Sequence, residues 1–205
     1  MREEAEIGME RHLFLSGAGF SGKSALIREV LGSRLEAAGG FCTELSPTES
    51  GGLLGCTLFP AAAAAGAEGY EKELFLDLRT DPIRHDSEVF RGTGVRLLEE
   101  ALYYPYAVLD EIGGMDLIIP QFRTALDALL SSELPILGVV KTKEECEGLR
   151  RLLGPGERFS AFRDRLYGML DRDPNTRVIE IGADAEAARD AVKAWAAEYA
   201  DISGM

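Results

Sequence analysis

The chain has 205 residues, 46% of them hydrophobic and 28% charged, which is ordinary for a globular protein with a sizeable buried core. Its 35 acidic and 22 basic residues give a net charge of −13, which disfavours nucleic-acid phosphates and anionic membrane surfaces as partners. A domain takes roughly 150 residues, so this length predicts a single domain, 1–205, with an insertion.

Cysteine usage and the first residues indicate the compartment. Cys42, Cys56 and Cys146 are odd in number and contain no closely spaced pair, which argues against a disulfide framework and a structural zinc site. The acidic start leads into no apolar signal segment, and the longest uncharged run, 50–67, is too rich in Gly and Ala to span a membrane. We therefore expect a cytoplasmic protein.

Short apolar runs alternate with amphipathic stretches along the chain. This pattern predicts an α/β fold, with a mostly parallel central sheet and helices on both faces. The first predicted strand is His12–Ser16, followed by a glycine-rich turn and a helix over Gly22–Leu35 that ends at Gly39-Gly40. The second predicted strand is Phe41–Leu45.

Two strands without a helix between them follow, at Leu53–Phe59 and Glu73–Arg79. Such neighbours predict an antiparallel hairpin added to the sheet, and we place this insertion at about 50–80. The Ala- and Gly-rich connection between the two strands is compatible with a helical turn and with a loop tip.

Regular alternation of helices and strands resumes after Gly94. The predicted elements are the helix Val95–Tyr103, the strand Tyr106–Leu109, the helix Asp116–Leu130, the strand Ile136–Val140, the helix Glu144–Leu153, the strand Arg177–Ile181 and the helix Ala183–Tyr199.

The turn after the first strand carries the strongest motif. It reads Gly-Ala-Gly-Phe-Ser-Gly-Lys-Ser and fits the phosphate-binding pattern G-x-x-x-x-G-K-[ST] completely. Backbone N–H groups of such a loop, with the N-terminus of the next helix, bind phosphate, while Lys23 reaches the β- and γ-phosphates and Ser24 ligates Mg²⁺. The predicted nucleotide-binding residues are Gly17, Ala18, Gly19, Phe20, Ser21, Gly22, Lys23, Ser24 and Ala25.

An acidic pair follows the predicted strand Tyr106–Leu109. Asp110 is expected to hold magnesium through its water shell, and Glu111 to polarise an attacking water as general base. The alternative is an acidic flank for the next helix, but that helix is predicted to begin near Asp116, too far away for its dipole to be the main reason. Nucleotide binding alone requires Asp110 but not Glu111, so the pair favours hydrolysis.

Three segments together resemble the cancer-related nucleoside triphosphatase family. They are the phosphate-binding loop after Ser16, the strand Gly-Phe-Cys-Thr-Glu that begins at Gly40, and Asp-Glu-Ile-Gly-Gly-Met-Asp at 110–116, with Phe122 after it. The family has a P-loop, a Gly-Phe-x-Thr-Glu strand and an Asp-Glu-Ile-Gly-x-Met-Glu motif in this order, and the resemblance covers roughly 11–140. It implies a RecA-like core and slow, Mg²⁺-dependent hydrolysis of nucleoside triphosphates to diphosphates.

The resemblance also implies roles for single residues. Family positions for phosphate, metal and water fall on Gly17, Gly22, Lys23, Ser24, Asp110 and Glu111. Thr43 falls on a threonine that lines the site. The chain departs from the family at three places: Gly114 stands where the family often has Lys, Ala25 where it has Thr, and 50–55 where it has basic residues. Each departure weakens the stabilisation of transition-state charge.

Two groups of cations are candidates to compensate. Lys141 and Lys143 follow the strand Ile136–Val140, whose end opens onto the same crevice, although solvated lysines are the default interpretation there. The arginine-rich segment 156–173 has two interpretations. One is an exposed amphipathic helix with Arg163 and Arg165 in water and with an apolar face toward the core, formed by Phe159, Phe162, Leu166 and Met169. The other is a lid, with Arg163 as a catalytic arginine finger in cis.

Three functions are compatible with these patterns. The best supported is Mg²⁺-dependent hydrolysis of nucleoside triphosphates, in which Lys23, Glu111 and Arg163 act on the reacting groups and Lys141 lines the site. A small-molecule or nucleotide kinase would use a second pocket and a small-molecule acceptor. A nucleotide-binding switch would hydrolyse little until a protein partner binds. His12 and His85 are expected to be structural, and Cys42 and Cys56 to be small buried hydrophobic residues.

Overall fold

The computed structural model describes residues 10–19, 21–47, 53–66, 69–154, 158–182 and 185–201. Within these residues, eight strands form one sheet in the order β5-β4-β3-β2-β6-β7-β1-β8. The strands are β1 (His12–Ser16), β2 (Ala38–Pro47), β3 (Leu53–Pro60), β4 (Glu73–Asp77), β5 (Arg84–His85), β6 (Tyr106–Ile112), β7 (Ile136–Val140) and β8 (Thr176–Glu180). Strands β2, β6, β7, β1 and β8 are parallel, and β3 to β5 add an antiparallel edge.

The helices pack on both faces of this sheet. They are α1 (Lys23–Leu31), α2 (Ser87–Val89), α3 (Val95–Ala101), α4 (Pro120–Leu130), α5 (Lys143–Leu153), α6 (Arg158–Arg172) and α7 (Ala185–Tyr199). A π-helical turn, Phe90–Gly94, joins α2 to α3, and 3₁₀ turns lie at Gly32–Ala37, Ala61–Ala65 and Met115–Ile118. The α/β class with a mostly parallel sheet is therefore confirmed.

Side chains alternate between two cores along the buried strands. Leu13 and Leu15 of β1 face the core under α1 and α7, whereas Phe14 faces the core under α3, α4 and α6. This follows from the two-residue period of a strand. All five residues of β1 and of β7 are buried, as expected for parallel strands covered by helices on both faces. Among the described residues, no helix is long and apolar enough to cross a membrane.

The pair Gly39-Gly40 was predicted to end a helix, and this prediction is wrong. Both residues lie inside β2. A Cβ on Gly39 would lie 2.6 Å from Ala101 Cα, and one on Gly40 would lie 2.3 Å from Val108 O, with φ at +85°. Both glycines thus allow close approach of β2 to α3 and β6. The preceding α-helix ends at Leu31, four residues before the predicted end at Leu35. The 3₁₀ turn follows it directly.

The other boundaries differ by a few residues. The Ala-rich connection after β3 forms a 3₁₀ turn, and the strand predicted to reach Arg79 ends at Asp77. Helical structure before α3 begins at Ser87. The side chain of Asp86 caps this start, because it accepts a hydrogen bond of 3.0 Å from Glu88 N. The predicted helix Asp116–Leu130 is a 3₁₀ turn followed by α4, which starts at Pro120.

Candidate nucleotide-binding and hydrolysis site

The phosphate-binding loop connects β1 to α1. Gly17 has a φ of +129°, and a Cβ there would lie 2.6 Å from Ile181 O, so the loop requires glycine to pass the end of β8. Helix α1 begins at Lys23, and its first turn is closed by Leu26 N donating to Gly22 O at 2.8 Å. This is the strand–loop–helix context that the motif requires. Phe20 lies outside the described residues.

Lys23 is buried and folds back over the loop. Its Nζ donates to Gly17 O at 2.8 Å, to Ala18 O at 2.7 Å and to Ser21 Oγ at 3.3 Å. Glu145 Oε1, from α5, lies 3.9 Å from the same nitrogen. The ammonium group is therefore held at the rim of the loop, where a bound phosphate would meet it.

Asp110 lies at the centre of a polar network. Ser24 Oγ donates to Asp110 Oδ1 at 2.6 Å, while Thr43 N, at 3.3 Å, and Arg28 Nη2, at 3.2 Å, donate to Asp110 Oδ2. Burial raises the pKa of Asp110, and the bond from Ser24 opposes that shift. The network joins α1, β2 and β6 through one carboxylate.

Arg28 belongs to this network although it lies in no motif. Its Nη2 also donates to Thr43 O at 2.6 Å. The available sequence signal was its position four residues after Ser24, because side chains at i and i+4 share one face of a helix. Glu145 likewise lies in no motif, whereas Glu44 ends the Gly-Phe-Cys-Thr-Glu strand but was given no role. Both line the same cleft.

Glu111 and Lys141 form an ion pair beside Asp110. Lys141 Nζ donates to Glu111 Oε2 at 2.7 Å. Burial alone lowers the pKa of Lys141, but the charge and hydrogen bond of Glu111 and the charges of Glu145 and Asp116 together outweigh burial, and the pKa is raised. Glu111 has a φ of +63°, which non-glycine residues rarely adopt, and the β6–β7 pairing is irregular between Leu109 and Ile112. This backbone turns the glutamate toward the cleft.

An open cleft of about 580 Å³ contains these groups. Its walls carry residues from the loop and α1 and from the carboxyl ends of β2, β6 and β7: Gly19, Ser21, Gly22, Lys23, Ser24, Ala25, Arg28, Thr43, Glu111 and Lys141. Cys56, which was expected to be buried, is half-buried in this cleft, whereas Cys42 is buried and its pKa is raised by burial.

The departures from the family pattern have a structural context. A Cβ on Gly114 would lie 3.2 Å from Lys141 Cε and 3.5 Å from its Cδ. Asp116 Oδ1 would lie 3.1 Å from the same Cβ. A side chain at 114 would therefore begin in tight contact with Asp116 and with the stem of Lys141, which follows β7 and supplies a cation there. Ala25 lines the cleft without a polar group. Residues 50–52 lie outside the described residues.

Arg163 lies away from this cleft. It is 8% exposed, and its Nη1 donates to Glu147 Oε1 at 2.9 Å, while its Nε and Nη2 contact Asp164 Oδ1 at 3.1 and 3.0 Å. The expectation that Arg163 lies in water is wrong, because α5 supplies an acidic partner. A catalytic role for Arg163 requires these contacts to break and stays a prediction, as does the lid over 156–173, of which 156–157 lie outside the described residues.

The rest of α6 packs as an amphipathic helix. Phe159 and Leu166 are buried in the core, with Phe162 and Met169 packed against it. Leu170 was not predicted as a core residue, but it is buried on the same face. Arg165 is exposed and pairs with Asp127 at 2.6 Å.

Asp116 is a second buried carboxylate near the ion pair. It is 3% exposed, and its Oδ2 accepts from Gly113 N at 3.3 Å. Burial raises the pKa of Asp116 to about 6. The sequence pattern gave Asp116 as the last acidic residue of the motif that begins at Asp110, but it assigned no role.

The donor set fits magnesium together with a nucleotide. A hydroxyl and a carboxylate oxygen lie side by side at Ser24 and Asp110, and both are ligands that Mg²⁺ prefers. The part of the chain that the structure describes contains no cluster of three or more His, Cys, Asp or Glu side chains that could hold a metal alone. In the usual magnesium site, substrate phosphates and water supply the remaining ligands.

The site has a glycine-rich loop between a buried strand and a helix. It also has an acidic pair on a parallel strand two positions away in the sheet. These two features define a P-loop nucleotide-binding protein. A family model described as NTPase matches residues 12–162. The chain belongs to this family of nucleoside triphosphatases, which are hydrolases acting on nucleoside triphosphates.

One curated protein and one solved structure are similar to this chain. The nucleoside-triphosphatase THEP1 of Thermotoga petrophila is 30% identical over 136 residues, which cover 65% of this chain and 73% of that protein. The crystal structure of THEP1 from the hyperthermophile Aquifex aeolicus matches the fold with a TM-score of 0.51 at 18% identity, over 78% of this chain and 99% of that one. The resemblance found in the sequence motifs is confirmed.

Proposed function

We propose that this protein slowly hydrolyses nucleoside 5′-triphosphates, ATP and GTP among them, to diphosphate and phosphate in a Mg²⁺-dependent reaction. The observation that carries the proposal is the 2.6 Å hydrogen bond between Ser24 and Asp110. It joins the phosphate-binding loop to the acidic strand, so that Glu111 opens onto the cleft where the terminal phosphate would lie.

The loop and Lys23 would bind the triphosphate. Backbone N–H groups of the loop and the N-terminus of α1 offer hydrogen bonds to the β-phosphate. Lys23 would exchange its bonds to Gly17 O and Ala18 O for phosphate oxygens. Ser24 and Asp110 would hold the magnesium ion, which neutralises charge on the β- and γ-phosphate oxygens.

Glu111 would act as the general base. It accepts a proton from water as the water oxygen bonds to the γ-phosphorus and the bond to the β–γ bridging oxygen breaks. Lys141 holds one carboxylate oxygen of Glu111, and no other described residue donates a hydrogen bond to this carboxylate. Slow turnover is proposed because the described cations of the cleft other than Lys23, namely Arg28 and Lys141, are already paired with Asp110 and Glu111.

Phosphate release from a panel of nucleoside triphosphates, with and without Mg²⁺, tests the proposal on the wild type and on Glu111→Gln. We expect release that requires Mg²⁺ and falls at least about 100-fold in the variant, since a general base contributes roughly 10²–10⁴-fold. Glu99→Gln, on the exposed side of α3, is the matched control and should behave as the wild type. Full activity of Glu111→Gln would show that another group, or a contaminant, is responsible.

A switch that needs a protein partner would instead bind the same nucleotides without releasing phosphate. The cytoplasmic location and the absence of nucleic-acid and membrane partners belong to the same proposal. They rest on three free cysteines and on the net charge of −13.

A further inference from the structure

A recess of about 90 Å³ lies beside the cleft, and the two share four residues in their walls: Thr43, Cys56, Glu111 and Lys141. Its remaining walls come from the antiparallel edge of the sheet, from the turn before α3, from the segment after β6 and from α5. Most of them are apolar: Phe75, Leu76, Phe90, Met115, Leu149 and Leu153. One water-sized probe occupies about 10–15 Å³, so the recess has room for about six to nine such groups.

The aromatic side of the recess is built by strands β4 and β5 and by the turn before α3. Phe75 of β4 contacts Phe90 edge to face, with ring centroids 4.9 Å apart, and His85 of β5 stacks on Phe90 at 6.3 Å with an interplanar angle of 13°. Such a wall accepts a flat or branched apolar body. The hairpin thus shapes a surface that the phosphate-binding loop does not use.

Polar groups in the recess are few and specifically placed. His85 Nε2 is buried and has no hydrogen-bond partner within the described ranges. Burial lowers the pKa of His85, so the ring is neutral near pH 7 and offers one donor and one acceptor. Asp116 lines the same recess, and Glu111 stands where the recess meets the cleft. An apolar cavity with a few convergent polar groups is the usual form of a small-molecule site.

We propose that this recess binds a second substrate, a small alcohol with a mainly apolar body, whose hydroxyl accepts the γ-phosphoryl group in place of water. The inference rests on the proposed function, because it takes the nucleotide to lie in the cleft and Glu111 to be the base. About six to eight non-hydrogen atoms fit the available volume. The six apolar side chains of the walls favour an apolar body over a charged sugar or a nucleotide.

The transfer uses the same groups as hydrolysis. The alcohol oxygen forms a bond to the γ-phosphorus, the bond between that phosphorus and the β–γ bridging oxygen breaks, and the diphosphate leaves. The hydroxyl proton passes to Glu111. The products are a phosphate monoester and the nucleoside diphosphate, and no oxidant, reductant or further reactant is consumed.

The test is ³¹P NMR of the products formed from a mixture of ATP, GTP, CTP and UTP with Mg²⁺ and either benzyl alcohol or cyclohexanol. Benzyl methyl ether, which lacks the hydroxyl, is the matched probe. We expect the phosphate monoester beside inorganic phosphate with the alcohols only. The ester-to-phosphate ratio should fall at least tenfold in Leu149→Trp, which fills the recess, and stay within twofold of the wild type in the exposed control Tyr103→Trp.

A second variant covers the case in which Leu149→Trp does not fold. Leu153→Phe narrows the recess by a smaller change in volume, and it should lower the ratio severalfold. Inorganic phosphate as the sole product with both alcohols would overturn the inference, and so would a ratio unchanged in the recess variants. The alcohol-free reaction tests the proposed hydrolysis separately, since a protein without hydrolytic activity releases no phosphate there.

Discussion

Ser24 and Asp110 lie 86 positions apart in the sequence, and the serine Oγ donates a hydrogen bond of 2.6 Å to the aspartate Oδ1. The other oxygen of this carboxylate accepts hydrogen bonds from the Arg28 side chain and from the backbone N–H of Thr43. One buried acidic group therefore fixes the start of α1 against the carboxyl ends of β2 and β6. The geometry that would receive magnesium and a triphosphate depends on this group.

Lys23→Ala should weaken nucleotide binding by about 10- to 150-fold. A hydrogen bond to a charged group contributes roughly 1.5–3 kcal/mol, and each 1.4 kcal/mol is a factor of ten in affinity. Calorimetric titration with the nucleotide that binds the wild type best gives the two dissociation constants. Lys193→Ala, an exposed lysine on α7, is the control. An unchanged affinity in Lys23→Ala would contradict the assignment of the loop.

Arg28→Met should destabilise the protein by about 1–3 kcal/mol, because it leaves the buried Asp110 without its cation. Urea denaturation measures the difference in the free energy of unfolding. Arg189→Met removes an arginine on α7 that pairs with Glu29 at the surface, and should cost less than about 1 kcal/mol. Equal losses in the two variants would show that the contact with Asp110 contributes no more than a surface pair.

Lys141→Met should lower turnover roughly 10- to 100-fold while nucleotide affinity changes little. The lysine orients Glu111, and a poorly oriented base loses part of its contribution of about 10²–10⁴. Steady-state phosphate release, measured beside calorimetric binding, separates the two effects. Lys143→Met is the neighbouring control, whose Nζ lies 5.8 Å from the centre of the Tyr167 ring. A loss confined to affinity would place Lys141 in binding instead.

Asp116→Asn should stabilise the protein in a pH-dependent way. Burial raises the pKa of Asp116 to about 6, above the value of about 3.9 in an unfolded chain. The folded state therefore binds this proton more tightly, and this carboxyl lowers stability as pH rises from about 4 to 6, with no further change above. Asparagine does not titrate, so the Tm advantage of the variant should grow over this window and then level off.

Thermal unfolding of both proteins between pH 4.5 and 8, in EDTA and without nucleotide, measures that difference. Other carboxylates titrate in both proteins and cancel when the two Tm values are subtracted. A Tm difference that is independent of pH would show that Asp116 is not perturbed in the folded protein.

Much of the candidate nucleotide site could be proposed from the sequence, because its motifs are local. Lys23 and Ser24 follow from one loop pattern, and Asp110 and Glu111 from one strand end. Arg28 was not predictable in the same way. Its partner lies on another strand, and an arginine on an amphipathic helix is compatible with many surroundings. The predicted start of β2 is wrong for a related reason. Gly39 and Gly40 do not terminate a helix but allow β2 to pack closely against Ala101 and Val108.

The sequence by itself determined the class of the protein. Apolar periodicity predicts the alternating strands and helices, and the loop and acidic motifs have a chemistry that depends on residues adjacent in the chain. Only the tertiary structure decided which distant side chains meet, such as Lys141 with Glu111 and Arg163 with Glu147. It also decided that the antiparallel edge of the sheet lines a recess beside the cleft. The physical reason is that these contacts depend on strand order and on helix packing across the sheet, which local patterns of residues do not specify.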